Sequence, residues 1–294
     1  MNTTDMHIPS NRVRDIERYY LTELRTLYPA GELRMFVYML FEAFLGWDKT
    51  HFLLHRDDTV NQSDLLRFHW AAEDLKRHRP IQHIIGYTHF CGLRIDVSPD
   101  VLIPRPETEE IVTRLIGNPD FNPRSVLDLC TGSGCIAIAL KHHLPQAAVT
   151  AVDLSPAALA VAQQNARQNN TDITFRQLDV LNPAQLATLS SPCDLIISNP
   201  PYVLESERTT MQRNVLDYDP HQALFVPDDD PLLFYRAIGQ YAASHLTAQG
   251  QLIVEINQAL ATETAQLLHA MGFKTAVRND FLGNPRSIAA TLQD

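Results

Sequence analysis

Asn199-Pro200-Pro201-Tyr202 is the stretch of this chain whose residue types do most to specify a chemistry. It follows Cys193-Asp194-Leu195-Ile196-Ile197-Ser198, an apolar run that reads as a buried parallel strand. A tetrapeptide at the carboxyl end of such a strand sits where open α/β sheets bind their ligands. Consecutive prolines fix φ and carry no N–H, so the Pro200 carbonyl and the Asn199 side-chain oxygen can be held outward as rigid acceptors. Two such acceptors suit a planar NH2 group, in an amide or an exocyclic amine, and leave its nitrogen facing a reactant. Tyr202 adds an aromatic wall. Asn199, Pro200, Pro201 and Tyr202 therefore form the candidate substrate site, with Asn199, Pro200 and Tyr202 as its catalytic members. An ordinary strand-to-loop turn is the plainer explanation of the same residues, because Asn-Pro often starts turns.

A second constellation lies upstream. A strand read at Ser125 to Leu129 runs into Cys130-Thr131-Gly132-Ser133-Gly134-Cys135 and then an apolar helix. The two glycines allow a tight turn and a close backbone approach to a ligand at a helix N-terminus. Twenty-one positions after Gly132, Asp153 ends the next strand, where a carboxylate can accept both hydroxyls of a ribose. Gly132-x-Gly134-x-x-Ala137 also satisfies a dinucleotide pattern, so NAD competes for the loop, as does a turn with no ligand. Three features favour S-adenosylmethionine. Asp128 precedes the loop, where a carboxylate would compensate a sulfonium and an amino group. Asp179 follows the third strand, placed to accept from an adenine amine, with Val180 beside it to pack on the ring. Asn199 follows the fourth strand, next to the first in a doubly wound order. The expected cofactor set is Asp128, Cys130, Thr131, Gly132, Ser133, Gly134, Asp153, Asp179 and Val180, with Asn199 shared between cofactor and substrate.

The elements that hold these groups follow from periodicity. Apolar residues recur at helical spacing from Arg12 to about Arg79, through Ile16, Tyr19, Tyr20 and Leu24 and then Leu33, Phe36, Val37, Leu40, Phe41 and Phe44. This predicts a small helical bundle over 1–80, with Tyr28-Pro29-Ala30-Gly31 breaking the first pair of helices and Ser63 as a possible cap of the last. Residues 81–105 read as a connector, with a β-hairpin within His83 to Val101 around Gly86 and Gly92. Ile103-Pro104-Arg105-Pro106-Glu107-Thr108 stiffens the start of a helix; Arg105 and Glu107 either tie this linker to the sheet domain or join the ligand shell. The sheet domain is expected over 106–294; from Ser125 onward strands and helices alternate, which implies a Rossmann-like, doubly wound and mostly parallel sheet. Two closing strands, around Phe273 to Val277 and Ser287 to Thr291, predict a terminal antiparallel hairpin.

Bulk properties exclude several classes. The 294 residues suffice for two domains, and 45% apolar with 20% charged residues is ordinary globular composition. A formal net charge of −10 disfavours a broad nucleic-acid surface. No apolar run approaches membrane-spanning length, and the start, Met1 to Asn11, is polar, so a cytoplasmic protein is expected. Four scattered cysteines do not form a disulfide framework or zinc pairs, and no metal is expected; His142-His143 sits at a helix end, where a dipole interaction accounts for it.

With these residues in hand, the chain resembles the class I S-adenosylmethionine-dependent methyltransferases, and specifically the HemK-type protein-glutamine N5-methyltransferases. The resemblance covers nearly the whole chain: the helical domain, Arg79 to Gly86, Phe90-x-Gly92-Leu93, Val101 to Glu110, Asp128 to Gly134, Asp153 and Ser198 to Tyr202. It implies methyl transfer to the glutamine of a Gly-Gly-Gln loop in peptide-chain release factors, by a monomer whose helical domain docks that partner. Cys130 stands where the family commonly has glycine, and members that methylate a ribosomal large-subunit protein share the cysteine. The insert Asp217 to Pro231, with Tyr218-Asp219-Pro220-His221, resembles the release-factor branch. The competing readings are a methyltransferase of nucleic-acid amines, an NAD-dependent oxidoreductase and a cofactor-free binding module.

Overall fold

The computed structural model describes residues 8–189 and 192–293, so most of the polar start, Met1 to Asn11, lies outside the described residues. The chain forms two compact units, one of residues 1–86 with 213–218 and the other of 87–212 with 219–294.

In the first unit the helices are α1 (Val13–Glu23), α2 (Ala30–Leu45), α3 (Lys49–Leu54), α4 (Gln62–Lys76) and α5 (Ile81–Ile85). Their apolar stripes close on one core that includes Ile16, Tyr20, Leu40, Phe41, Phe52 and Phe68. Asn61, not Ser63, caps α4, its side chain accepting from the Asp64 N–H at 2.9 Å. Asparagine is as good a cap as serine, and using it lengthens the helix by two residues. Where the connector was expected to turn extended, Ile81 to Ile85 forms a helical turn that ends on left-handed Gly86, because Ile81 is drawn into the helical core. The insert contributes to this unit too: Tyr218 donates its hydroxyl to the Arg77 carbonyl at 2.9 Å.

The second unit opens with the hairpin β1 (Tyr87–Phe90) and β2 (Leu93–Asp96), then α6 (Pro106–Ile116). Strand and helix then alternate through β3 (Ser125–Leu129), α7 (Cys135–His143), β4 (Ala148–Asp153), α8 (Pro156–Gln168), β5 (Thr174–Gln177), α9 (Pro183–Leu186) and β6 (Cys193–Ser198). After the short strands β7 (Val203–Leu204) and β8 (Phe225–Val226), separated in sequence by α10 (Arg213–Leu216) of the first unit, come α11 (Leu233–His245), β9 (Leu246–Glu255), α12 (Ala261–Ala270), β10 (Phe273–Asn279) and β11 (Pro285–Leu292).

The large sheet has the order β10-β11-β9-β6-β3-β4-β5, parallel from β9 to β5 and antiparallel where β11 inserts between β9 and β10. Both faces are covered, which is why the inner strands are apolar at successive positions. Leu127, Ile196 and Val254 pack on one face with Tyr235, Ile238 and Leu268 from α11 and α12. Val126, Ile197 and Ile253 pack on the other with Val112 of α6 and Ile136 to Leu140 of α7. The strand order reverses between β3 and β6, so their carboxyl ends flank the crevice where such sheets take ligands. Ser198 ties the two ends together by donating its hydroxyl to the Leu129 carbonyl at 2.6 Å.

Candidate active site

A cavity of about 1080 Å³, counting its open mouth, occupies that crevice. Its floor is the β3–α7 loop. Cys130, Gly132 and Gly134 all have positive φ, at 61°, 54° and 82°. For Cys130 this means a conformation that ordinarily costs about 1–3 kcal/mol, held by the bond from Thr131 N–H to the Val152 carbonyl at 2.9 Å. The glycines have different work. A Cβ on Gly132 would project into open space in the cavity, so Gly132 keeps the backbone accessible to a ligand. A Cβ on Gly134 would stand 3.0 Å from Ala162 Cβ and 3.1 Å from Ile138 Cδ1, so Gly134 lets α7 pack against α8. Gly134→Ala combines left-handed strain with overpacking and is expected to destabilise the fold by about 3 kcal/mol, a fall in Tm of about 8 °C by thermal melting.

Around the loop, the carboxylates are already oriented by the backbone. Asp153 accepts from Gly132 N–H at 2.8 Å and from Ser155 N–H at 2.9 Å, and its burial raises its pKa. Asp179 accepts from Leu181 N–H through Oδ1 at 2.8 Å, which leaves Oδ2 for a ligand; the buried Val180 stands beside it. Cys130, Thr131, Gly132, Ser133, Asp153, Asp179, Val180, Asn199 and Pro201 all line the cavity. Burial pushes the thiols of Cys130 and Cys135 far up, the latter to about 12, so neither is a nucleophile.

Four residues expected at the site do not reach the cavity wall. Asp128 is one, because strand alternation turns its side chain to the face of Val126, beneath α7. There it is fully buried, accepts from the Thr131 hydroxyl at 2.6 Å, and is pushed up to about 7 by burial. Among the described residues its other oxygen has no partner at full hydrogen-bond geometry, and any effect on a bound cation would act through the loop, not by contact. Gly134 is taken up by helix packing, as above. Pro200 is buried between Asn199 and Pro201. Tyr202 directs its hydroxyl to Glu255 Oε1 at 2.9 Å. Among the described residues, none donates to the Pro200 carbonyl or to Asn199 Oδ1.

Sequence reasoning missed Glu255 altogether and saw in Thr108 only a helix start. The parallel register pairs Ser198 with Val254, so Asn199 and Glu255 leave the sheet on the same face, the one α6 covers. Asn199 Nδ2 donates to Thr108 Oγ1 at 3.1 Å, and the Thr108 hydroxyl donates to Glu255 Oε2 at 2.6 Å. The available signal was a carboxylate at the end of the apolar run Leu252-Ile253-Val254-Glu255. Arg105 lines the cavity and makes an ion pair with Asp219 of the insert, whereas Glu107 is absent from the lining. The cavity is thereby bordered by Pro104 and Arg105 on one side and Pro220, Gln222 and Ala223 on another.

The donor set fits a nucleoside-bearing methyl donor. A glycine accessible from the cavity just before a helix start, a carboxylate ending the second strand and another beyond the third are what the ribose and base require, and Asn199 lines the same space. This fold and site define a methyltransferase of the class I type. The Methyltransferase small domain family matches residues 90–218, and the PrmC N-terminal domain family matches 27–86. A methyltransferase structure from Pyrococcus furiosus superposes with a TM-score of 0.51 at 16% identity, over 68% of this chain and 89% of that one, which speaks to the fold alone. A release factor glutamine methyltransferase from Flavobacterium psychrophilum is 41% identical over 96% of this chain and 99% of its own. One from Bacteroides thetaiotaomicron is 39% identical over 94% and 98%. The chain belongs to the release factor glutamine methyltransferase family.

Proposed function

We propose that this protein transfers a methyl group from S-adenosylmethionine to the side-chain amide nitrogen of the glutamine in the Gly-Gly-Gln loop of peptide-chain release factors. One observation carries the reading: Asn199 lines the same cavity as Gly132, Asp153 and Asp179, with its Oδ1 unclaimed by the protein. The relatives' names supply the class of substrate.

Gly132 backbone, Asp153 and Asp179 would hold the loop-side, ribose and base parts of the cofactor. When bound there, S-adenosylmethionine supplies an electrophilic methyl on a cationic sulfur. A carboxamide nitrogen is a poor nucleophile because its lone pair is delocalised into the carbonyl, so positioning has to supply most of the rate. Asn199 Oδ1 accepts one substrate N–H at the cavity wall, and the Pro200 carbonyl, set behind that wall with no donor among the described residues, takes the other, so that the nitrogen is aimed at the methyl. As the C–N bond formed and the bond from methyl to sulfur broke, its electron pair staying on the sulfur, positive charge would grow on nitrogen, and the same two oxygens would stabilise it until a proton left. Tyr202, pinned by Glu255, packs against the glutamine stem. The helical unit serves as the docking domain for the release factor.

The test is a transfer assay with methyl-labelled S-adenosylmethionine and purified release factor. Label should appear on the loop glutamine and vanish when that glutamine is replaced by alanine. An unlabelled release factor beside a labelled ribosomal large-subunit protein would move the assignment to the sister activity.

A further inference from the structure

A carboxamide can sit either way round in its pocket, and the two ways are chemically opposite. Turned one way, Asn199 offers the substrate an oxygen that accepts from NH2; turned the other, it offers a second NH2 that repels it. The decision lies outside Asn199. A carboxylate only accepts hydrogen bonds, and a threonine hydroxyl has a single proton. Glu255 Oε2 takes that proton at 2.6 Å, so Thr108 has only a lone pair left for its other neighbour. The atom of Asn199 that meets Thr108 at 3.1 Å must then be the nitrogen, and Oδ1 is turned away from the pair.

The surroundings keep this polarity from being scrambled. Ile111, Val112, Ile136, Ile197 and Ile253 line the space beside the Thr108–Glu255 joint, so each bond is strengthened by the apolar medium. Burial raises the Glu255 pKa, while the hydroxyls of Thr108 and Tyr202 and the nearby Arg286 guanidinium favour the charged form. Tyr202 donates to the second carboxylate oxygen at 2.9 Å, so Glu255 holds both Thr108 and Tyr202.

We propose that Glu255, acting through Thr108, is a positioning residue that sets which end of the Asn199 amide faces the substrate, and so makes the site select an NH2 donor. The inference rests on the reading of Asn199 as the acceptor of the substrate amide. It requires Thr108 as a hydroxyl and Glu255 as an acceptor; neither volume nor helix capping would suffice.

Four variants test it with release factor as substrate: Thr108→Val, Thr108→Ser, Glu255→Gln and the double Asn199→Ala/Thr108→Val. Thr108→Val keeps the shape and loses the proton relay, so kcat should fall by about 10- to 100-fold while the calorimetric Kd for S-adenosylmethionine stays put. Thr108→Ser should restore kcat to near the parent value. In Glu255→Gln the new amide can donate to Thr108, freeing the threonine proton for Asn199 Oδ1 and turning the Asn199 NH2 toward the substrate; kcat should fall again with Kd unchanged. In the Asn199→Ala background, Thr108→Val should cost no further kcat, because residues acting as one unit are not additive. A parent-like kcat in Thr108→Val, equal losses in the Val and Ser variants, or full additivity in the double variant would each overturn the proposal. If Thr108→Val does not fold, judged by Tm and cofactor binding, Glu255→Gln decides, and parent-like turnover there overturns it. A parent protein that leaves release factor unmethylated would instead sink the functional reading on which this rests.

Discussion

Asn199→Ala is expected to lower kcat by about 10²- to 10³-fold, the loss seen when one preorganised group aimed at developing transition-state charge is removed. The alanine variant leaves Gly132, Asp153 and Asp179 in place on the cavity wall, so the calorimetric Kd for S-adenosylmethionine should remain near that of the parent. The separation matters because Asn199 was expected to touch both cofactor and substrate. Its Nδ2 is committed to Thr108, and its free oxygen is the only part of the side chain that can serve the substrate. Stability should change little, since the side chain is only half-buried. Turnover equal to the parent would remove Asn199 from the chemistry.

Asp153→Ala should instead act on binding. The carboxylate holds Gly132 N–H at 2.8 Å and Ser155 N–H at 2.9 Å, so alanine unties the glycine loop as well as deleting the proposed ribose acceptor. Losing two charge-assisted bonds at about 1.5 kcal/mol each weakens cofactor binding by about 3 kcal/mol, or roughly 100-fold in Kd. kcat at saturating cofactor should be far less affected. Asp153→Asn keeps one acceptor and should fall between the two. The pH dependence follows with a definite sign: burial raises the Asp153 pKa, so lowering the pH neutralises this group before an ordinary aspartate. Cofactor affinity should therefore decline on acidification, and Asp153→Asn should flatten that decline. An affinity in Asp153→Ala equal to the parent would show that the carboxylate makes no contact with the ligand.

Much of the scaffold is legible in the chain because it is encoded locally. The strand ending at Leu129, the glycines at 132 and 134 and the helix from Cys135 are contiguous, and a tight turn at a helix start needs only neighbours. Asp153 and the Asn-Pro-Pro-Tyr segment are found by their place at strand ends. Alternation even foretells the closing antiparallel pair, β10 with β11. Local reading fails where a side chain's direction depends on packing. Asp128 looked like a partner for a bound cation, yet alternation buries it under α7 with Thr131, and Gly134 proved to be a contact between helices. The short helix at Ile81 to Ile85 escaped for a similar reason, since Gly86 and the β-branched residues around it read as extended until the helical core claims Ile81.

Residue types and spacing thus determined the fold class and the family resemblance and singled out Asn199 as the proposed acceptor. Which way that acceptor points was decided only in three dimensions, where Thr108 meets a residue 91 positions away and another 147 positions away. Hydrogen bonds reach about 3 Å and depend on direction. No one-dimensional pattern says that the ends of β6 and β9 and the start of α6 converge on one face; that juxtaposition exists only once the sheet is ordered and α6 has packed across it.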